Sequence, residues 1–254
     1  MFFDSHAHLD DGRFDLDRDL VISSLKNEGI DFFINVGADI KGSRNSLVLS
    51  EKYDFVYASC GVHPHDTDSM TEDDLKEIEK MLSSKKAVAL GEIGLDYYYD
   101  NSERETQKKW FIRQLELAKK LDVPVIVHCR DAMGDCLEII KNSGVKKGVM
   151  HCFSGSSESA KEILKIGWYI SFSGSVTFKN AKNLQMAAET IPMDRLLIET
   201  DSPYLSPEPV RGKRNDPSRV KYVAQKIAEI KGITVEEVAK ITTENAKRFF
   251  NIEN

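Results

Sequence analysis

The chain has 254 residues, 41% of them apolar, and a formal net charge of −6 from 35 basic and 41 acidic side chains. That size can bury one large α/β core or two smaller ones, and the acid excess argues against a protein that grips long duplex tracts through a broad basic face. No apolar run approaches the roughly 20 residues a bilayer span needs, and Met1 to His6 shows neither a basic leader nor a cleavage site, which predicts a cytoplasmic protein with no membrane partner.

In chain order, the first apolar run, Phe2–His8, ends in His6 and His8. Two apart on a strand, both imidazoles project from one face and can reach one ion. A second run covers Asp31–Gly37, and a third, Phe55–Val62, leads into His63 and His65. Thr71 to Asp74 then opens a helical stretch carrying Leu75, Ile78 and Leu82. The fourth run, Ala87–Glu92, ends on an acid, and Ser102 to Glu105 reads as a capping box ahead of Trp110, Phe111, Leu115 and Ala118. The fifth and sixth runs, Val123–His128 and Gly148–His151, each end in histidine. The seventh spans Trp168–Ser173, and the eighth, Arg195–Asp201, ends on another acid. Asp216 and Pro217 read as N-cap and first position of a helix through Val220, Val223, Ala224 and Ile227. Thr234 to Glu237 is a further capping box, and Thr242 to Phe250 reads as a last helix.

Strand and helix alternating eight times predict an α/β fold, a single-domain (β/α)₈ TIM barrel over residues 1–254 with its active site at the C-terminal rim of the strands. A doubly wound open sheet would also alternate, but it gathers its groups at one switch point. Here most strands end in a histidine or an acid, which suits a closed ring.

All six histidines fall at or just past a strand end, and Glu92 and Asp201 follow the same rule. His6, His8, His128, His151, Glu92 and Asp201 together offer more donors than one tetrahedral ion needs. The pattern predicts two divalent metal ions, Zn²⁺, Mn²⁺ or Mg²⁺, with Glu92 as the bridge. Cys60, Cys129, Cys136 and Cys152 form no C-x-x-C pair and are expected as reduced thiols outside the metal site. If His128 and His151 face inward, strand alternation turns Cys129 and Cys152 outward. No nucleophile elbow, phosphate-cradling glycine loop or H-E-x-x-H motif is present in the sequence.

Phe2-Phe3-Asp4-Ser5-His6-Ala7-His8-Leu9-Asp10, Gly61-Val62-His63-Pro64-His65, Gly91-Glu92-Ile93-Gly94-Leu95-Asp96-Tyr97-Tyr98, Val127-His128-Cys129-Arg130, His151-Cys152-Phe153-Ser154-Gly155 and Glu199-Thr200-Asp201-Ser202-Pro203-Tyr204-Leu205 together resemble the TatD-related family of metal-dependent deoxyribonucleases. The resemblance implies a metallohydrolase of the amidohydrolase superfamily, a phosphodiester hydrolase acting as a 3′-5′ exonuclease on DNA ends. It implies that His6, His8, Glu92 and Asp201 hold one ion and Glu92, His128 and His151 the other. His63 looks like a residue for the substrate phosphate, with His65 and Arg130 beside it. The loop Arg211 to Pro217 is similar to a family loop whose acid is commonly glutamate, so Asp216 is a departure. With these parts, the expected chemistry is in-line attack by a metal-activated water, with Asp201 as general base.

Arg211, Lys213 and Arg214, with Lys179, Lys182 and Arg219, are candidate substrate contacts near the ends of the last two strands, where barrels often bind phosphate. Against the acidic whole, so local a basic group points to single-stranded or terminal DNA as the nucleic-acid partner. Tyr97, Tyr98, Tyr99 and Tyr204 can stack bases or pack a lid. No obligate protein partner is evident. Amide or ester hydrolysis of a small molecule is the alternative, although its usual carboxylated lysine is replaced by Glu92 in the fourth strand. Deacylation of aminoacyl-tRNA is the other.

Overall fold

The apolar runs pair in chain order. In the computed structural model, which describes residues 1–253, β1 (Phe2–Ala7), β2 (Ile30–Val36), β3 (Val56–Cys60), β4 (Ala87–Asp96), β5 (Val125–Arg130), β6 (Gly148–Met150), β7 (Tyr169–Phe172) and β8 (Leu196–Ile198) form one parallel sheet. A parallel bridge between Ala7 and Ser202 returns the end to the beginning and nearly closes a barrel. There His8 N donates to Ser202 O at 2.7 Å and Asp201 N to His6 O at 2.9 Å.

Parallel neighbours need crossovers. Helices α1 (Arg18–Ser24), α2 (Ile40–Lys52), α3 (Glu72–Met81), α4 (Arg104–Leu121), α5 (Met133–Ser143), α6 (Ser157–Lys165) and α7 (Lys182–Thr190) supply them, and α8 (Val220–Lys231) and α9 (Val235–Phe250) follow β8. No helix among the described residues is long and apolar enough to cross a membrane.

Thr71 and Asp74 cap α3 reciprocally, and Thr234 and Glu237 do the same for α9. Ser102 does not cap α4. Its hydroxyl donates to His65 O at 3.0 Å and accepts from Asp68 N at 3.2 Å, which ties the loop after β4 to the loop after β3. The stretch from Thr242 is the second half of α9, because its hydroxyl bonds back to Val238 O at 2.8 Å within a continuous helix. Asp216 caps a short turn, Pro217–Arg219, that runs straight into α8.

Two apolar layers result. Ile22, Phe33, Leu90, Phe111, Ile140 and Ile227 belong to the larger one, between strands and helices. The smaller joins Phe3, Ile34, Ala89, Ile126, Val149, Tyr169 and Leu197, which line the barrel interior, to Phe249 and Phe250 of α9, which seal its base. Strand alternation carries this interior face upward from Ile126 to His128 and, one residue past the strand ends, from Val149 to His151 and from Leu197 to Glu199, while Asp201 lies beyond β8 at φ 55°.

In β1 and β4 the spacing is odd, and a register shift corrects it. Asp4 pairs with Phe33 but Ala7 with Asn35, and Leu90 pairs with Val125 but Ile93 with Val127. Each strand spends one extra residue in a bulge, which re-aims a side chain. His6 and Glu92 thereby join the interior face above Phe3 and Ala89. Beyond the bulge β4 presses against β5: a Cβ on Gly94, whose φ is +144°, would lie 1.9 Å from His128 O. β4 therefore runs four residues past Glu92, the end expected from the apolar pattern, and stops at Asp96.

Candidate metal centre

Above the apolar plug the interior turns polar, and six histidines and four acids meet there. His6 Nε2 and His8 Nε2 lie 3.1 Å apart. Glu92 Oε2 is 3.4 Å and 3.7 Å from them, and Asp201 Oδ1 is 3.8 Å and 3.6 Å. The other oxygen of Glu92, Oε1, is 2.9 Å from His128 Nδ1, 2.6 Å from His151 Nε2 and 3.5 Å from His63 Nε2.

The tautomers follow from the far side of each ring. His8 Nδ1 lies 2.8 Å from Val36 O, an acceptor only, so Nδ1 carries a proton and Nε2 is the nitrogen left to meet a cation. His151 Nδ1 likewise meets Glu199 Oε1 at 3.2 Å, and His128 Nε2 meets Asp96 Oδ2 at 3.0 Å. A carboxylate or carbonyl behind the imidazole is the usual support of a metal-ligating histidine. His63 differs: its Nδ1 accepts from His65 N at 3.1 Å, which puts the proton on Nε2 and makes it a donor into the pocket.

Charge balance agrees with a cation. Burial opposes the Glu92 charge, yet the imidazoles of His151, His63 and His6 hold its carboxyl well below the usual range. Burial likewise opposes protonation of His8, but Asp201 and Glu92 lift it to about 9. The same contest leaves His151 raised by Glu92 and Glu199, while burial and neighbouring His151 lower His6. The acids draw positive charge into the pocket, which the raised His8 and His151 imidazoles supply when no cation is bound, and His6 Nδ1 is buried with no hydrogen-bond partner. Nitrogen and oxygen donors converging at this spacing fit divalent ions. Three groups have donor atoms close enough to hold a metal: His6, His8 and Glu92; His63, Glu92 and His128; and His6, His151 and Glu199.

Two acids were not singled out as supports from sequence. Asp96 holds both His128 and, at 2.9 Å, His65 Nε2. Glu199 also accepts from Cys152 N at 2.7 Å and from the Ser171 hydroxyl. Asp96 lies four residues after Glu92 at the end of the same strand, and Glu199 lies two before Asp201, just past the end of β8. Cys129 lies against Cys136 of α5, as alternation expects. Cys152 does not follow that rule. It stands past the end of β6 at φ 44°, and its thiol turns to Ser173 Oγ at 3.1 Å.

The rim cations divide. Arg130 caps β5 two residues past His128, and Arg211 lies 4.1 Å over the Phe178 ring. Lys213 is exposed. Arg214 is committed elsewhere: it makes a two-pronged pair with Asp17, at 2.8 Å and 2.6 Å, and donates to Arg13 O. Asp216 receives Ser218 N at 3.0 Å and pairs with Arg219, so the shorter acid in this loop works as a cap.

Comparison with known proteins agrees with this geometry. A family model described as TatD related DNase matches residues 3–251. The chain is 50% identical to the uncharacterized metal-dependent hydrolase YabD of Bacillus subtilis, over 99% of this chain and 100% of that protein. It is 33% identical to the 3′-5′ ssDNA/RNA exonuclease TatD of Pectobacterium parmentieri, over 98% and 99% of the two chains. Among solved structures it superposes on YJJV, a TatD homolog from Escherichia coli K12, with a TM-score of 0.93 at 29% identity, covering 99% of this chain and 98% of that one.

Proposed function

This chain belongs to the TatD-related DNase family of metal-dependent hydrolases, and on that premise we propose that its pocket cleaves phosphodiesters as an exonuclease from the 3′ end of single-stranded or terminal DNA. The observation that carries the reading is the division of Glu92, with Oε2 facing His6 and His8 while Oε1 faces His128 and His151. A carboxylate so divided suits a bridge between two ions. We assign His6, His8, Glu92 and Asp201 to one divalent cation and Glu92, His128 and His151 to the other; Zn²⁺, Mn²⁺ and Mg²⁺ all accept such donors. Bound there, the cations supply Lewis acidity toward a phosphoryl oxygen and a lowered pKa for water.

The side chains orient and move protons. Val36 O, Asp96 and Glu199 fix three imidazoles so that each turns a bare nitrogen inward. Asp201, the more exposed of the two central acids at 15% against 4%, takes the proton of the attacking water through its carboxylate and returns it to the leaving 3′ oxygen. His63 Nε2–H donates to a non-bridging oxygen of the substrate. His65, Arg130, Arg211 and Lys213 bind the strand beyond it, and Arg214 is left to Asp17. The polarity draws support from the name of the Pectobacterium relative, and the single-stranded preference from the acidic chain with its few rim cations.

The test is cleavage of a 5′-labelled single strand. Stepwise shortening from the 3′ end that stops with EDTA and returns with Mn²⁺ or Mg²⁺ is expected. Cleavage indifferent to chelator, or turnover of lactams or aminoacyl-tRNA with no strand cleavage, would contradict it.

A further inference from the structure

Exposed tyrosines crowd two points of the rim. Tyr98 and Tyr99, just after β4, are 58% and 54% exposed, and Tyr204, after β8, is 46% exposed. Around the ring, the β4–β5 pair stands opposite the β8–β1 seam, so the two groups face each other across the pocket.

Each group touches a pocket histidine and carries an arginine. Tyr99 meets His65 edge-on at 5.3 Å, and Tyr204 meets His8 at 6.2 Å. The Arg130 guanidinium lies 4.0 Å and 4.7 Å from the Tyr98 and Tyr99 ring centres, and that of Arg13 lies 4.1 Å from Tyr204. Asp96 anchors the first group: Oδ1 accepts from Tyr98 N at 3.0 Å and Tyr99 N at 2.9 Å, while Oδ2 holds His65 and His128. One carboxylate therefore sets the ring pair in register with the pocket. The arginines differ in charge balance. Asp11 pairs with Arg13 at 2.7 Å, whereas Arg130 has no carboxylate partner among the described residues.

Given the phosphodiesterase reading above, on which this rests, we infer that the two groups are nucleobase platforms. Tyr98, Tyr99 and Arg130 hold a base on one side of the scissile phosphate, and Tyr204 with Arg13 holds one on the other. Every base offers a π-face to tyrosine or guanidinium, so the platforms take any sequence. The unpaired charge of Arg130 adds a phosphate contact on its side. Bases reach both platforms only after leaving their neighbours, which admits single strands and frayed ends and disfavours an intact duplex. An acidic chain thereby selects its strand without a broad basic face.

The test measures binding of a short 5′-fluorescent single strand to the metal-free protein in EDTA, by anisotropy, so that no cleavage intervenes. The Tyr98→Ala/Tyr99→Ala double variant and Tyr204→Ala should each raise Kd about 5- to 100-fold, the worth of a stacked base, and the matching Phe variants should restore it. The losses should vanish on a strand whose terminal residues lack bases. Tight wild-type binding that the alanine variants leave unchanged, or an equal loss on the base-free strand, overturns the platforms alone. A wild-type protein that binds no strand in EDTA yet cleaves one with Mn²⁺ overturns the platforms alone, and one that neither binds in EDTA nor cleaves with Mn²⁺ overturns the phosphodiesterase reading with them.

Discussion

His128 Nε2 lies 3.0 Å from Asp96 Oδ2, and this contact on the far side of the ring leaves Nδ1 to face Glu92 Oε1 at 2.9 Å. The carboxylate fixes which nitrogen carries the proton. In Asp96→Asn the amide can donate to Nε2, the proton moves to Nδ1, and the ring is lost as a metal ligand. Metal affinity should fall about 10- to 100-fold, the usual cost of removing such a support. Titration with Mn²⁺ checks it, and an unchanged affinity would show that Asp96 serves only the turn at Tyr98 and Tyr99.

Asp201→Asn keeps the shape of the acid and removes its basicity. Strand KM should stay within a few-fold while kcat falls about 10²- to 10⁴-fold, the range general-base groups contribute. The measurement is steady-state cleavage at saturating Mn²⁺. Full turnover would rule Asp201 out as the base.

Gly94→Ala places a Cβ 1.9 Å from His128 O on a residue at φ +144°. Neither backbone can move without disturbing the β4–β5 pairing. We expect a loss of stability above about 3 kcal/mol, in the diagnostic tail for point substitutions, together with weakened metal binding because His128 sits at the clash. Urea unfolding reads the first effect; a midpoint within error of wild type would mean that β4 relaxes freely.

Cys60 is fully buried, and desolvation pushes its thiol up to about 12. The thiol is raised in the folded state, so the unfolded chain loses its proton first as pH rises. The contribution to stability is intact below the ordinary thiol value near 9 and declines between there and about 12. At pH 8 the native thiol should resist a disulfide reagent and react once urea unfolds the chain. Prompt native labelling at Cys60, located by mass spectrometry, would contradict the burial argument.

The legibility of the fold and the pocket varied by residue for physical reasons. His128 and His151 were readable because unbroken alternation from Ile126 and Val149 leads to them. His6 and Glu92 lie an odd number of residues above Phe3 and Ala89, so alternation alone points them outward; only their place near strand ends marked them. The bulges that turn them in are a matter of register with β2 and β5, which no local pattern records. Asp96 and Glu199 escaped notice as supports because their task is set by histidines 32 and 48 residues away. Arg214 reads from sequence as a substrate contact in a basic loop, yet Asp17, 197 residues distant in sequence, takes its charge. The eight strands and the reciprocal caps of α3 and α9 needed no such partners, and they were the most readable elements.

The central claim is that Glu92 joins two cation sites, and metal content per chain tests it most directly. Wild-type protein equilibrated with Mn²⁺ and freed of excess should hold two ions per chain by elemental analysis, and Glu92→Gln no more than one. A wild-type chain that retains only trace divalent metal, or a Glu92→Gln chain that retains as much as wild type, would contradict it.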